Sequence, residues 1–380
     1  MPEPVLEPAP APVPQPLCLA DIERQAAGVL PPEVRDFVAG GSGAEATLAA
    51  NRAAWEEIYL VPRVLRDVSA RTTACELLGV RAAMPVAVAP IAYHRLAHPD
   101  GELATARAAK RAGVPFIAAT LASHAIEEIT AVGAETWFQL YWLRDRGRRM
   151  DLVRRAEGAG CSALVLTVDV PWMGRRLRDI RNNFALPPEV TAANLAGPAR
   201  SAAHRPSSGG SAVAAHTALA FDPVLTWAEV DELRSATRLP IVLKGILAPE
   251  DAALAARAGA AAVVVSNHGG RQLDGAAPAV QLVGEVREAV GDRCQVLVDG
   301  GIRSGLDVLR AVARGADGVL VGRPLIWGLA TDGEAGAARV LDLLAGELDD
   351  ALGLAGCASP AEARTLRTII RPRHRTQESW

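Results

Sequence analysis

A histidine and an arginine able to act on an acidic substrate follow a short apolar segment of the chain. Ala262–Val265 is apolar throughout, as a strand covered on both faces of a sheet requires, and His268 and Arg271 come soon after it. Histidine exchanges a proton near neutral pH, and a guanidinium can bind a carboxylate through two hydrogen bonds. The intervening Gly269 and Gly270 allow a tight turn or the close approach of a flat ligand. The pattern indicates an acid–base group beside a carboxylate anchor, although a turn with a solvated histidine and arginine would have the same sequence.

Similar polar side chains follow most of the other short apolar segments. If these segments are parallel strands of one barrel, their carboxyl ends meet at a single mouth, where α/β barrels carry out their chemistry. A titratable or hydrogen-bonding group at nearly every strand end therefore predicts a catalytic mouth. The residues expected there, besides His268 and Arg271, are Pro90, Ile91, Ala92, Gln139, Tyr141, Thr167, Asp169, Lys244 and Ser266.

Two glycine-rich segments follow the last two candidate strands. Asp299-Gly300-Gly301-Ile302-Arg303 and Gly322-Arg323 offer backbone N–H groups and two guanidiniums, at the position where barrels commonly bind phosphate. We predict a phosphate site there, the alternative being two tight turns with surface arginines. Lys244 lies in an apolar strand, and two roles remain open for it. It could form a Schiff base, since burial depresses a lysine pKa, or it could hold negative charge on a cofactor.

The elements that must position these residues repeat as strand, turn, alanine-rich helix and closing glycine. Eight such units, without a GxGxxG motif after the first strand, predict an α/β fold of the (β/α)8 TIM barrel type rather than a doubly wound sheet. Helices are expected before the barrel at Leu19–Val29, Pro32–Val38 and Glu45–Trp55. The eight predicted strands are Pro85–Ala89, Phe116–Ala119, Trp137–Leu140, Ala163–Thr167, Ile241–Lys244, Ala262–Val265, Val296–Asp299 and Gly318–Val321.

The chain divides into one large domain and two terminal segments. Residues 1–16 contain seven prolines and are predicted to be a disordered arm, residues 17–370 the barrel domain, and residues 371–380 a basic tail. Within the domain, the loop between strands four and five, Pro187 to Phe221, is rich in Ala, Ser, Gly and Pro. Because it is too long for an ordinary loop, we expect a mobile, lid-like insertion.

Composition excludes several classes of protein. Half of the 380 residues are hydrophobic and the formal net charge is −3, which supports a large core and argues against nucleic-acid binding. Five scattered cysteines without a CxxC motif argue against a disulfide framework or a metal site and favour a reducing compartment. No apolar run is long enough to span a membrane, and the N-terminus does not resemble a signal peptide. These features predict a cytoplasmic enzyme.

The segment Ser266-Asn267-His268-Gly269-Gly270-Arg271-Gln272-Leu273-Asp274 resembles the signature of the FMN-dependent α-hydroxy-acid oxidases and dehydrogenases, and the resemblance extends from about Leu19 to Leu366. It implies a TIM barrel that holds FMN at its mouth and oxidises a 2-hydroxy acid. In that reading His268 is the base, Asp169 orients it, Arg176 and Arg271 bind the substrate carboxylate, and Tyr141 donates a hydrogen bond to the substrate. Whether electrons leave as a hydride or through a carbanion stays open.

The same resemblance assigns the cofactor site. Lys244 would stabilise the anionic reduced flavin at its N1–C2 edge, the remaining residues holding the flavin ring or the ribityl phosphate. The ring residues would be Pro90, Ile91, Ala92, Gln139, Thr167 and Ser266, and the phosphate residues Asp299, Gly300, Gly301, Ile302, Arg303, Gly322 and Arg323. A homotetramer is also implied.

Three positions depart from the common pattern of the family. Phe37 stands where a substrate-binding tyrosine is usual, Ala119 where many members have a serine near the flavin, and Leu121 where members acting on glycolate have a tryptophan. Leu121 leaves room for a larger side chain. Phe37 and the segments 137–145 and 168–179 resemble those of members that oxidise mandelate and 4-hydroxymandelate and that serve antibiotic biosynthesis.

The expected reaction is therefore oxidation of an aromatic (S)-2-hydroxy acid to its 2-keto acid. Ala92 resembles the alanine of oxidases, which implies O2 as acceptor and H2O2 as product. The alternatives are an aliphatic hydroxy-acid oxidase and a dehydrogenase with another acceptor. Two alternatives belong to other classes of protein. A non-redox FMN-dependent isomerase would have no evident use for a carboxylate clamp. A catalytically inactive flavin-binding scaffold would not need the intact set of acid–base residues.

Overall fold

Three helices lead into the barrel in the computed structural model, which describes residues 15–195, 201–205 and 211–371. They span Leu19–Val29, Pro32–Ala39 and Ala46–Glu56, within one residue of each predicted boundary. Proline at the first position of the second helix suits a helix start because its missing N–H has no partner there in any case. This second helix contributes Phe37 to the mouth of the barrel.

Eight parallel strands close into a barrel, which confirms the predicted fold. The strands follow one another around the barrel in chain order, and the last strand pairs with the first through Val319 and Val86. Every predicted strand is present, with ends shifted by at most two residues. The strands are β1 (Val86–Val88), β2 (Phe116–Ala119), β3 (Thr136–Leu140), β4 (Ala163–Thr167), β5 (Ile241–Ile246), β6 (Ala262–Val265), β7 (Gln295–Asp299) and β8 (Gly318–Val321).

The strands are buried on both faces, which explains their continuous apolar sequences. Inward-facing side chains such as Trp137, Val165 and Leu297 fill the barrel, while the outward faces pack against the helices. An antiparallel hairpin, Cys75–Leu77 with Val80–Ala82, packs on this interior through the fully buried Leu77. A second antiparallel pair joins Ile58–Leu60 to Thr368–Ile370. The pairing of these strands was not predicted from the sequence because three-residue strands are too short to show a pattern.

Helices surround the barrel, and their ends are fixed by local signals such as the predicted closing glycine. Gly113 adopts the left-handed conformation at the end of Gly101–Ala112, and Thr226 with Glu229 forms a capping box on Trp227–Ala236. The long helix Arg323–Ala355 is broken at Asp332 and Gly333. The remaining helices are Ile126–Thr130, Arg146–Gly158, Leu177–Arg181, Ala212–Ala220, Pro249–Arg257, Ala279–Val290, Gly305–Ala313 and Pro360–Ala363, with short 3-10 turns at His94–Leu96, Ala193–Leu195 and Ala202–His204.

The described part of the insertion between β4 and β5 lies over the mouth of the barrel. It contains the helix Ala212–Ala220, which was not apparent from the sequence. The backbone N–H of Ala193 donates to Ala122 O after β2, and Arg144 N after β3 donates to Ala220 O. The insertion therefore covers the ends of two strands, and its mobility stays a prediction. Residues 1–14 and 372–380, which hold most of the predicted arm and tail, lie outside the described residues.

The long helix Arg323–Ala355 raises the question of a membrane span. Neither it nor any other helix in the described ranges is both long and apolar enough to cross a bilayer.

Candidate active site

A cavity opens at the carboxyl ends of the strands and collects most of the predicted residues. The space between its walls is about 1140 Å³ when the solvent at its open mouth is included. The predicted residues on its wall are Phe37, Pro90, Ile91, Ala92, Leu121, Tyr141, Arg176, Lys244, His268, Arg271, Asp299, Gly300, Gly301, Ile302, Arg303, Gly322 and Arg323.

Three predicted cofactor residues lie beside the cavity rather than on its wall. Gln139 Nε2 donates to Thr167 Oγ1 at 3.0 Å, and Gln139 Oε1 accepts from Thr120 N at 3.1 Å. Ser266 Oγ accepts from Lys244 Nζ at 3.1 Å and is fully buried. In this arrangement Gln139, Thr167 and Ser266 support neighbouring strand ends, and their contact with a flavin ring stays a prediction.

His268 and Asp169 form a hydrogen-bonded pair at the ends of β6 and β4. The imidazole Nδ1 lies 3.1 and 3.2 Å from the two carboxylate oxygens, so Nε2 is left to face a substrate. His268 has a positive φ of 58°, and its backbone N–H donates to Ser266 Oγ at 3.0 Å. A residue with a side chain is uncommon in this conformation, which histidine adopts more readily than most. The turn therefore fixes the direction in which the imidazole points.

Burial and charge set the protonation of this pair. Burial lowers the pKa of His268, and the attraction of Asp169 only partly offsets that effect. Burial alone would raise the pKa of Asp169, but the attraction and hydrogen bond of His268 bring it below its ordinary value. The pair therefore consists of a neutral imidazole and an ionised carboxylate near neutral pH. This is the state in which a histidine can accept a proton while an adjacent anion stabilises its charged form.

Lys244 is a buried cation rather than a neutral amine. Its Nζ lies 3.0 Å from Asp299 Oδ2 and donates to Ser266 Oγ. Burial alone would lower the pKa of Lys244, but the negative charges of Asp299 and Asp169 raise it above its ordinary value. The structure thus disfavours the Schiff-base role and favours the alternative, a fixed positive charge beside a cofactor.

Four guanidiniums surround the cavity, those of Arg176, Arg271, Arg303 and Arg323, and the Glu23 carboxylate lies 3.9 Å from that of Arg303. Burial and the neighbouring Arg323 lower the pKa of Arg303 to about 9, and burial and Arg176 lower that of Arg323 to about 10. Burial also lowers the pKa of Arg271 to well below its ordinary value, with repulsion from Arg176 and Arg323 adding to the effect. Buried charges are stable only when paired. We therefore expect ligands to supply further anions.

Two of the four guanidiniums are suited to bind a carboxylate. Arg271 Nη1 donates to Phe37 O at 2.9 Å and to Gly40 O at 2.7 Å, which fixes the plane of the group. Among the described residues, the buried Nε of Arg176 has no hydrogen-bond partner. Arg176 and Arg271 lie 6.0 and 5.4 Å from the centre of the Phe37 ring, so both face the same part of the cavity.

Aromatic and aliphatic side chains form the rest of the wall. Phe37 stacks on Phe184 at 4.5 Å between ring centres, and Tyr141 stacks on Phe221 at 4.4 Å. Burial raises the pKa of Tyr141, so its hydroxyl stays protonated and able to donate. Several wall residues were missed in the sequence: Tyr93, Val170, Met173, Val213, Thr217, Phe221 and Gln272. The spacing of four between residues 213, 217 and 221 was the available signal for one helical face.

A TIM barrel with this mouth places the chain among flavoenzymes acting on 2-hydroxy acids, and comparison with known proteins agrees. The family model for FMN-dependent dehydrogenases matches residues 26–369, so the chain belongs to that family.

Individual relatives are similar over almost the whole chain. The chain is 61% identical over 352 residues to 4-hydroxymandelate oxidase of Amycolatopsis orientalis, covering 93% of this chain and 98% of that relative. It is 45% identical over 349 residues to an L-lactate oxidase of a Nostoc strain, covering 90% and 95%. A crystal structure of mandelate oxidase with (S)-4-hydroxymandelic acid has a TM-score of 0.91 at 60% identity, covering 93% of this chain and 99% of that one. The resemblance inferred from the sequence is thereby confirmed.

The residues at the mouth fit FMN, the cofactor of this family. Arg303 and Arg323 supply the positive charge that a phosphate needs, beside a glycine-rich turn and the start of the helix at Arg323. The buried Oδ1 of Asp299 has no hydrogen-bond partner among the described residues and could accept one from a ribityl hydroxyl. Lys244 would lie against the ring and favour its negatively charged reduced form. The wall at Pro90–Ala92 would pack against the ring face.

Proposed function

We propose that this protein oxidises an aromatic (S)-2-hydroxy acid, 4-hydroxymandelate or mandelate, to the 2-keto acid and reduces O2 to H2O2. The observation that supports the proposal is that one cavity is lined by His268, which is hydrogen-bonded to Asp169, and by the two guanidiniums suited to bind a carboxylate. The identity of 61% to a 4-hydroxymandelate oxidase supports the aromatic substrate. Leu121, which leaves room for a ring on the wall, supports it as well.

Each polar side chain of the site has its own role in this reaction. Arg176 and Arg271 bind the substrate carboxylate, and Tyr141 donates a hydrogen bond to the substrate. His268 Nε2 then accepts a proton, from the hydroxyl in a hydride route or from the α-carbon in a carbanion route, and Asp169 stabilises the imidazolium that results. FMN, when bound, supplies the two-electron acceptor. The arrangement of residues is the same for both routes.

Oxygen uptake by the purified yellow protein tests this proposal. We expect uptake with (S)-4-hydroxymandelate and (S)-mandelate, one H2O2 for each O2 consumed, and much lower kcat/KM with L-lactate or glycolate. Faster turnover of the aliphatic acids would contradict the aromatic assignment. Reduction of an artificial acceptor without oxygen uptake would instead support a dehydrogenase. The tetrameric state, the cytoplasmic location and the place in antibiotic biosynthesis stay predictions. Light scattering would test the first by measuring the molecular mass in solution.

We expect the substitution Phe37→Tyr to shift preference towards small substrates. A hydroxyl on this ring would lie close to both carboxylate-binding arginines and add a hydrogen bond of about 1 kcal/mol to the anchored carboxylate. Small acids depend most on that anchor, so the ratio of kcat/KM for L-lactate over (S)-mandelate should rise about fivefold. Phe184→Tyr, on the partner ring outside the cavity wall, is the matched control. An unchanged ratio in Phe37→Tyr would mean that this position does not set specificity.

The pH dependence of the reaction should report the ionisation of His268. Because burial lowers its pKa below the ordinary value of about 6.5, the neutral base should persist into mildly acidic solution. kcat/KM should therefore be constant through neutral pH and fall only as the pH drops below about 6.5. Asp169→Asn removes an attraction that raises this pKa, so the fall should move to still lower pH while the maximal rate decreases. A fall in wild-type kcat/KM centred above pH 7 would contradict the assignment.

A further inference from the structure

One face of the helix Ala212–Ala220 and the residue that follows it form part of the cavity wall. Val213, Thr217 and Phe221 are spaced by four residues, so they lie on the same side, and all three line the cavity. The end of this helix is attached to the strand extension after β3: Asp222 N donates to Trp142 O at 2.8 Å. The stacking of Phe221 on Tyr141 adds a second attachment. The helix therefore has a defined position relative to the substrate-binding residues.

Thr217 is the polar residue among these three wall residues. Its side chain is only 2% exposed, and its hydroxyl donates to Ala214 O at 3.0 Å within the helix. A threonine hydroxyl has one proton to donate and two lone pairs that accept. Since the proton is already used, the hydroxyl can offer a ligand only its acceptor capacity. A ligand hydroxyl that donates a hydrogen bond is the group that suits it.

The carboxylate anchors determine which end of a substrate reaches this face. Arg176 and Arg271 hold the carboxylate and His268 faces the α-carbon, so the ring of an aromatic substrate must extend into the remaining, largely apolar wall. That wall includes Leu121 and Met173 as well as the helix. A phenol hydroxyl buried there without an acceptor would lose about 1 to 3 kcal/mol of hydrogen bonding to water.

We propose that Thr217 determines specificity by accepting a hydrogen bond from the para-hydroxyl of the substrate ring, so that 4-hydroxymandelate is preferred to mandelate. This inference rests on the proposed function, whose substrate it narrows to a ring bearing a hydrogen-bond donor. Val213 and Phe221, which line the same cavity, would pack against the ring.

The substitution Thr217→Val tests the proposal because valine has nearly the same shape and lacks the hydroxyl. The ratio of kcat/KM for (S)-4-hydroxymandelate over (S)-mandelate should fall about tenfold, whereas kcat/KM for mandelate should change little. Thr217→Ser keeps the acceptor and should retain most of the wild-type ratio. An equal loss for both substrates would show a purely structural role, and an unchanged ratio would also overturn the proposal.

A binding measurement separates this inference from the proposed function. 4-Hydroxyphenylacetate and phenylacetate lack the α-hydroxyl and cannot be oxidised, so their Kd values can be measured on the holoenzyme from changes in flavin absorbance. We expect Thr217→Val to weaken the binding of 4-hydroxyphenylacetate about tenfold and to change the binding of phenylacetate little. Tyr93 also carries a hydroxyl on the wall. If Tyr93→Phe weakened the first ligand selectively and Thr217→Val did not, the proposal would be wrong. If the wild-type protein oxidised neither (S)-4-hydroxymandelate nor (S)-mandelate, the proposed function would be wrong. The Kd values would still test whether Thr217 accepts a hydrogen bond from a para-hydroxyl.

Discussion

Substitution of His268 by alanine is expected to slow reduction of the bound flavin by substrate between about a hundredfold and ten-thousandfold, the usual contribution of a positioned general base. The imidazole accepts the proton that must leave the substrate, and its hydrogen bonds to Asp169 at 3.1 and 3.2 Å hold it for that purpose. The measurement is anaerobic stopped-flow absorbance with (S)-4-hydroxymandelate.

Two controls distinguish chemistry from folding in the His268→Ala variant. It should stay yellow, because the charges expected to hold the phosphate come from Arg303 and Arg323 on other loops. Added imidazole should restore part of the rate by replacing the missing base. His98→Ala alters a histidine that does not line the cavity and should reduce normally. Bleaching of His268→Ala at the wild-type rate would show that another group is the base.

The second large effect is expected for Arg271→Lys. Arg271 uses Nη1 to donate to Phe37 O and Gly40 O, so its other nitrogens can bind the substrate carboxylate at the same time. A lysine has one nitrogen and cannot occupy both positions. We expect loss of a charge-assisted hydrogen bond of about 2 kcal/mol, which corresponds to a decrease in kcat/KM of about thirtyfold, mainly through KM.

The control for Arg271→Lys is Arg178→Lys. Arg178 forms ion pairs with Asp36 and Glu45 but does not line the cavity. The kcat/KM of Arg178→Lys should therefore change little. A wild-type KM in Arg271→Lys would mean that the substrate carboxylate binds elsewhere. Equal losses in both variants would indicate that the loops, rather than the carboxylate contact, had been disturbed.

The barrel and its mouth could be predicted because their sequences carry local signals. A strand buried on both faces is a continuous apolar run, and the polar residues after it must lie at the mouth, as His268 does. The hairpin beginning at Cys75 and the helix Ala212–Ala220 could not be predicted in this way. The hairpin is too short for a pattern, and the helix is positioned by contacts with Tyr141 and Trp142, which are distant in the chain.

The charge state of the site also required the structure. From the sequence, Lys244 could have been a neutral nucleophile or a fixed cation, since burial and a nearby carboxylate shift a lysine pKa in opposite directions. The structure places Asp299 3.0 Å away and so favours the cation. Likewise, the resemblance pointed to Phe37 as a residue of the substrate site, and the structure was needed to show that its ring lies near both Arg176 and Arg271.

The most direct test of the proposed function is anaerobic titration of the purified yellow protein with (S)-4-hydroxymandelate. We predict complete bleaching of the flavin by one equivalent of substrate, formation of one equivalent of 4-hydroxyphenylglyoxylate, and return of the yellow colour with H2O2 when air is admitted. A flavin that stays oxidised with both (S)-4-hydroxymandelate and (S)-mandelate, although L-lactate bleaches it, would contradict the assignment of an aromatic 2-hydroxy acid as substrate.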